Sequence, residues 1–357
     1  MASVINVLRK HSNECNLIIV ATAQHRHLLD QALTYFEIKP DIDLDIMREQ
    51  QTPSDVLGRM LLHLEPLLKK IRPDLVMVQG DTATCFAASL ASFYQGIKLA
   101  HVEAGLRTWD KENPFPEELH RRSVDFMSDV CFAPTESARA NLIKDNVAQD
   151  KIFVVGNTAI DVLSQIINQP RQIDLEIVKN VCGDRKKIVI VTAHRRENTM
   201  GPITNIFGAL RELAEKNSDI QLVFPVHPNP QIRKLAFETL GNLGNVQLLE
   251  PLTYNVFIAL LSRSYLVLTD SGGVQEEAAY LGKPVLVLRE KTERTESIDS
   301  GVAKLVGTDP VRILGEANSL LTDEKAYDKM ARPTNPYGEG SASTQIADIL
   351  LDIFRKP

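Results

Sequence analysis

Four places in the chain set polar, chemistry-bearing residues directly after short apolar runs. Residues 75–79 lead into Gly80-Asp81-Thr82, and residues 99–102 lead into Glu103-Ala104-Gly105-Leu106-Arg107-Thr108. Residues 188–192 lead into His194-Arg195-Arg196-Glu197, and residues 266–269 into Asp270-Ser271-Gly272-Gly273. In open α/β sheets ligands bind in the crevice at the carboxyl ends of the strands, so these four turns are the first candidates for a site. The last is the most specific. A strand, then Ser271-Gly272-Gly273, then a helix begun by Val274-Gln275-Glu276-Glu277, lets the backbone approach a diphosphate, with helix N–H groups and dipole facing the anion. Glu277, one turn into that helix, is placed to accept hydrogen bonds from a ribose diol.

Three carboxylates suit acid–base work. Asp81 reads either as the N-cap of the following helix or as a reactive group. Glu103, between an apolar strand and Ala104-Gly105, is expected to be partly buried and to need a partner, with Arg107 as one candidate. Glu117 and Glu118 follow Pro114-Phe115-Pro116 as first-turn helix acids, a short loop after Glu103. His194 joins a titratable ring to guanidinium groups suited to phosphate or carboxylate. His227, in His227-Pro228-Asn229-Pro230, reads as a hinge or second-site histidine. His25 and His27 have no third ligand at metal spacing, which argues against zinc. No Gly-x-Gly-x-x-Gly follows a strand and no Gly-Lys-Ser/Thr phosphate loop occurs, so neither a dinucleotide nor a kinase-type site is expected.

The elements that must position these residues alternate. Strand-like runs at 17–23, 75–79, 99–102, 130–133 and 152–155 are separated by helical spacing, the pattern of βαβ units with parallel sheets. After a polar gap over 165–186 a second series follows at 188–192, 221–226, 246–249, 266–269, 285–288 and 304–306. The spacing predicts two domains, 1–169 and 170–340, and a terminal helix over 341–354. At the start, Val4, Ile5, Val7 and Leu8 read as an amphipathic helix with no strand before it, although a βαβ unit calls for one.

The 357 residues are enough for two hydrophobic cores, and 44% apolar with 24% charged residues is ordinary for a folded globular protein. A net charge of −6 disfavours nucleic acid or an anionic membrane as partner. No run is long enough to span a bilayer and no secretory signal opens the chain, so a cytoplasmic location is expected. Cys15, Cys85, Cys131 and Cys182 are scattered and read as reduced thiols rather than a disulfide framework.

Taken in order, these motifs resemble a known family. Gln24-His25-Arg26, Gln79-Gly80-Asp81-Thr82, His101-Val102-Glu103-Ala104-Gly105-Leu106-Arg107-Thr108, Pro116-Glu117-Glu118 and Gly156-Asn157-Thr158 belong to the pattern. So do His194-Arg195-Arg196-Glu197, residues 270–277, Gly282-Lys283-Pro284, Thr292-Glu293-Arg294 and Asn335-Pro336-Tyr337-Gly338. Together they are similar to the bacterial non-hydrolysing UDP-N-acetylglucosamine 2-epimerases over essentially the whole chain. The resemblance implies a GT-B fold: two Rossmann-like domains with a cleft between them and a terminal helix, 341–357, crossing back to the first. It implies a homodimer that interconverts UDP-N-acetylglucosamine and UDP-N-acetylmannosamine without metal or nicotinamide. The C2 hydrogen of such a sugar is not acidic, so epimerisation needs either transient oxidation or elimination of the nucleotide. Without a dinucleotide fingerprint, elimination of UDP to a 2-acetamidoglucal and re-addition is the expected route.

By the same resemblance Asp81, Glu103 and Glu117 supply acid–base groups, and His194 lies against the substrate. Ser271, Gly272 and Gly273 hold the diphosphate, Glu277 the ribose, Arg294 the leaving-group charge and Phe257 the uracil, where Leu252 lacks the amide of the family. Gln24, His25, Arg196 and His227 match an activating second substrate site, with His27 standing where the family has glutamine. A strand and a Gly-Thr-Arg-Pro-Glu loop that the family carries ahead of the first helix are absent from this sequence, which leads one to expect impaired activity. Three other readings share the residues: a GT-B glycosyltransferase, a hydrolysing epimerase, and a nucleotide-sugar-binding protein without catalysis.

Overall fold

A computed structural model of the chain describes residues 1–22, 26–46, 48, 51–168, 175–182, 187–195, 198 and 201–355, leaving aside the side chains at 26–28, 31, 175–177 and 182. The chain divides into two compact units, Met1–Val162 with Tyr337–Pro357, and Leu163–Pro336.

The first unit has strands β1 (Val20–Ala21), β2 (Ile42–Asp43), β3 (Leu75–Gln79), β4 (Lys98–Val102), β5 (Val130–Ala133) and β6 (Ile152–Val154). Its helices are α1 (Ala2–Leu8), α2 (Arg26–Tyr35), α3 (Pro53–Ile71), α4 (Ala83–Tyr94), α5 (Glu117–Met127), α6 (Glu136–Lys144) and the start of α7 (Thr158–Asn168). All strand pairings are parallel, in two separate sheets, β1-β2 and β3-β4-β5-β6. Such strands are buried on both faces, which is why the runs are continuously apolar. β1 begins later than the apolar run from residue 17 suggests, and before it the Ile19 amide donates to the Asp41 carboxylate (2.7 Å) rather than to a ladder. Helix starts follow their caps: Thr82 accepts from the Cys85 amide (3.3 Å) and Thr135 from the Ala138 amide (3.0 Å).

The second unit holds α8 (Leu175–Cys182), β7 (Lys187–Thr192), α9 (Ile203–Lys216), β8 (Ile220–Pro225), α10 (Pro230–Leu240), β9 (Val246–Leu249), α11 (Tyr254–Arg263) and β10 (Leu266–Thr269). It continues with α12 (Gly272–Tyr280), β11 (Val285–Val287), α13 (Thr295–Asp299), β12 (Ala303–Leu305), α14 (Pro310–Thr322) and α15 (Glu324–Met330). Its six parallel strands run in the order β12-β11-β10-β7-β8-β9. Chain order reverses between β10 and β7, so the loops after these two strands emerge at a topological switch point, the preferred ligand crevice of such sheets. Beneath lies a core in which Val189, Val191, Leu266 and Leu268 meet Phe207 and Leu210 of α9.

The last helix, α16 (Ala342–Arg355), packs with α1 against the β4 and β5 face of the first unit through Ile346, Ala347, Leu350, Val4 and Leu8. Asp161 of α7 accepts from the amides of Ala342 (3.0 Å) and Ser343 (2.6 Å) and from the Ser343 hydroxyl, so it caps this helix from another element. Gly156 has to be glycine here, since a Cβ would stand 2.9 Å from the Tyr337 carbonyl. Cys85 and Cys131 are buried and Cys15 half-buried, all as free thiols. Among the described residues, no helix is long and apolar enough to cross a membrane.

Candidate functional site

In the first unit the candidate carboxylates Asp81 and Glu103 lie just past the carboxyl ends of β3 and β4. These strands pair Gln79 with Val102, and the Gly80 amide continues the ladder to the Val102 carbonyl (3.0 Å), so the two following turns lie side by side. Gly80 has φ +75°, and a Cβ there would stand 3.6 Å from Glu103 Oε2. Glu103 itself has φ +68°. A left-handed non-glycine residue costs roughly 1–2 kcal/mol and marks a place where surrounding structure dictates the backbone. That structure is visible: the next amide, Ala104, donates to the Phe132 carbonyl (3.0 Å) and the Gly105 amide to the Asp125 carboxylate (3.2 Å).

The cap of α4 is Thr82, so the Asp81 carboxylate is not used as a cap; it pairs with Arg121. Glu103 is half-buried as expected, but the guanidinium of Arg107 goes to Asp125 (2.7 Å) and Asp145 (2.8 Å). Glu117 opens α5. Behind it the helix supplies most of the support: Glu118 accepts from the Thr108 (3.1 Å) and Trp109 (3.0 Å) amides, and His120 lies 3.0 Å from the Asp81 carbonyl. Arg121 also faces Glu118 at 3.6 Å. This helix is inverted. It buries Glu118, Arg121 and Asp125 while leaving Leu119 and Phe126 56% and 81% exposed. Residues 118, 121 and 125 share one helical face, a spacing that a solvated charged face gives equally, so sequence alone does not single out Arg121 and Asp125.

In the second unit the loops after β7 and β10 are tied together by Asp270. Fully buried, it accepts from the His194 (2.8 Å) and Arg195 (2.8 Å) amides and from the Asn198 side chain (2.9 Å). The His194 ring stacks on His227, centroids 5.3 Å apart and planes 7° from parallel. His227 Nδ1 accepts from the Asn229 amide (3.1 Å). Gln24, His25 and Arg196, expected to join His227, lie outside the described residues.

Helix α12 starts at Gly272 with Ser271 as its N-cap, and the serine side chain makes no capping bond. The two glycines differ. A Cβ on Gly272 would meet Glu293 Oε1 at 2.9 Å and Arg294 Cζ at 3.0 Å, whereas one on Gly273 meets nothing within 4 Å. Arg294 is buried beneath the turn, held by Glu276 (2.8 Å) and Glu293 (2.7 Å). Glu277 is buried and accepts from the Tyr254 hydroxyl (2.7 Å). Burial pushes its carboxyl up to about 7, with the tyrosine pulling the other way. Phe257 stands one turn after Tyr254 on α11, half-buried.

Two parallel-sheet units, the second with a glycine-started helix at a strand's carboxyl end beside the switch point, define a protein of the GT-B class. The family model for UDP-N-acetylglucosamine 2-epimerase matches residues 8–351. The chain belongs to that family. It is 47% identical over 351 residues to a Bacillus subtilis protein of that name, covering 98% of this chain and 91% of the relative. Among solved structures it is similar to the Neisseria meningitidis UDP-GlcNAc 2-epimerase bound to UDP-GlcNAc: 43% identity, TM-score 0.95, covering 99% and 96% of the two chains. It is also similar to the Methanocaldococcus jannaschii enzyme in complex with UDP-GlcNAc and UDP: 32% identity, TM-score 0.87, 98% and 95% coverage.

Proposed function

We propose that the chain epimerises UDP-N-acetylglucosamine at C2, giving UDP-N-acetylmannosamine, in the cytoplasm. The observation that carries this is the pair of carboxylate turns, Asp81 and Glu103, held side by side at the ends of two paired strands; the glycine-started helix α12 supports the nucleotide end of the reading. A carboxylate takes the C2 proton, the C1–O bond breaks and UDP leaves, giving the 2-acetamidoglucal. Re-addition of UDP at C1 with a proton delivered to the opposite face of C2 completes the reaction, so groups on both faces are needed; Glu117 is the third carboxylate, and His194 lies against the substrate. The amides of Gly272 and Gly273 receive the diphosphate, Arg294 balances its charge, Glu277 takes the ribose and Phe257 the uracil. Phosphorus NMR on a reaction with UDP-N-acetylglucosamine distinguishes this from the rivals: a second UDP-sugar is expected, and accumulation of free UDP would instead mark a hydrolysing enzyme.

Glu277 makes the nucleotide end pH-dependent. Below about 7 its carboxyl is protonated in the free protein, while the ionised form is the one that accepts two ribose hydroxyls. UDP affinity is therefore expected to rise between about pH 6 and about pH 8, with proton release on binding. In folding the same group costs nothing below its ordinary value of 4.5, an increasing amount up to about 7, and the full amount above. Tyr254→Phe removes the bond that lowers the carboxyl and is expected to move the affinity midpoint upward. Calorimetric titrations across pH check both points, and a pH-independent affinity would take Glu277 out of ribose binding.

A homodimer is supported by the apolar side chains that α3, α4 and α5, packed in sequence, leave exposed: Leu62, Phe93, Tyr94, Leu119 and Phe126. Sedimentation at micromolar concentration is expected to give a dimer, and Phe126→Glu a folded monomer. A monomeric parent protein contradicts this.

A further inference from the structure

Between the two carboxylate turns stands a buried histidine that the reaction scheme does not use. His101 lies on β4, two residues before Glu103, and its ring reaches across to the neighbouring strand. Nε2 is 2.9 Å from the Gly80 carbonyl and Nδ1 is 2.6 Å from Asp125 Oδ1. Both partners are acceptors. The carbonyl has no proton to give, and Asp125 is ion-paired with Arg107 (2.7 Å) and accepts from the Gly105 amide (3.2 Å), as an ionised carboxylate does. A ring flanked by acceptors on both sides carries a proton on each nitrogen.

The surroundings fit that charge. Arg107 is shared between Asp125 and Asp145, and Arg122 reaches Asp145 from the surface side (2.9 Å), so the cations face two carboxylates. From α4 the Cys85 thiol points at the same Gly80 carbonyl (3.0 Å), and from β5 the Cys131 sulfur lies 3.9 Å from the Asp125 carbonyl. Burial drives the His101 ring toward neutrality, and the Asp125 carboxylate overrides it and holds the ring well above the ordinary histidine range. A buried ion pair is a weak source of stability, since apolar residues of similar volume often serve as well. What an apolar residue cannot do is hold two backbone turns at once. One contact fixes the carbonyl of the residue before Asp81; the other runs through Asp125 to the amide two residues after Glu103.

We propose that His101 is a positioning residue for the C2 chemistry: with Asp125 it clamps the Gly80-Asp81 turn of β3 to the turn 103–105 of β4, fixing the spacing of the two carboxylates. The proposal rests on the assignment of Asp81 and Glu103 to proton transfer.

Two variants separate this role from mere filling of the core. The amide nitrogen of glutamine reaches about as far as Nε2 and that of asparagine about as far as Nδ1, while both remove the ring and its charge. His101→Gln keeps a donor for Gly80, and His101→Asn keeps one for Asp125. Comparable losses of thermal midpoint and unchanged UDP affinity are expected for both, with kcat down about fivefold in the glutamine variant and about 100-fold in the asparagine variant. Equal losses of kcat, or losses that follow the thermal midpoint, would overturn the proposal. If neither variant folds, nitrogen NMR of the parent protein decides: one of the eight histidines is expected to keep both ring protons at pH 8. Eight neutral rings at that pH would refute the clamp. Failure of the parent protein to epimerise would remove the assignment of Asp81 and Glu103 and leave that NMR signature untouched, so the two ideas fail separately.

Discussion

Glu103→Gln is expected to lower kcat for epimerisation by about 1,000-fold, the scale of a lost acid–base group, with UDP affinity unchanged within about twofold. The substitution keeps the shape of the side chain and leaves the cost of the left-handed backbone unchanged while removing basicity, and the turn is held by the Ala104 and Gly105 amides rather than by the side chain. UDP affinity is the internal control, because its proposed contacts, Ser271, Gly272, Gly273, Glu277 and Arg294, all belong to the other compact unit. Steady-state rates with calorimetric titration of UDP measure both quantities. A loss of kcat below tenfold would take Glu103 out of proton transfer.

The second large effect is expected at Gly273, where binding and stability should move in opposite directions. A Cβ there meets nothing within 4 Å, so Gly273→Asp folds without a clash. Its carboxylate, in the first turn of α12, adds about 0.3–1 kcal/mol through the helix dipole. The thermal midpoint should hold or rise by about 2 °C. The same carboxylate occupies the place and sign of the diphosphate, and like charges in contact cost several kcal/mol, so UDP affinity should fall about 100-fold or more. Retained affinity would move the diphosphate elsewhere. Gly272→Ala offers a contrast, since its methyl group meets Glu293 and Arg294 and should cost stability as well.

Where one physical signal determined an element, the sequence disclosed it. The runs 75–79, 130–133, 246–249 and 266–269 match β3, β5, β9 and β10 residue for residue, because parallel strands buried on both faces are apolar throughout. The terminal helix is likewise where the spacing of Ile346, Ile349, Leu350 and Phe354 put it. β2 was not foreseen: Asp41-Ile42-Asp43 is too short and polar to read as a strand, and only its pairing with Val20 and Ala21 makes it one.

The candidate site divides in the same way. Asp81, Glu103 and Ser271-Gly272-Gly273 were visible because strand ends mark themselves by an abrupt change from apolar to polar residues. Their supports were not. Arg121 and Asp125 read as ordinary charges on a helix surface until the fold shows that α5 turns its charged face inward. Asp270 and Tyr254 act on residues far along the chain or on a neighbouring helix, and spacing carries no trace of such partners. Arg107 was offered to Glu103 by proximity in sequence, yet Asp125 and Asp145 take it, since they lie where its long side chain ends.

The most direct test is the fate of the hydrogen at C2. The chain is incubated with UDP-N-acetylglucosamine in deuterated water and followed by proton and phosphorus NMR. One deuteron is expected at C2 of the sugar in UDP-N-acetylmannosamine and, as equilibrium is approached, in the remaining substrate, with the UDP linkage intact in both. Epimerisation that keeps the original hydrogen at C2, or turnover that yields only a free sugar and UDP, would contradict proton exchange through elimination and re-addition.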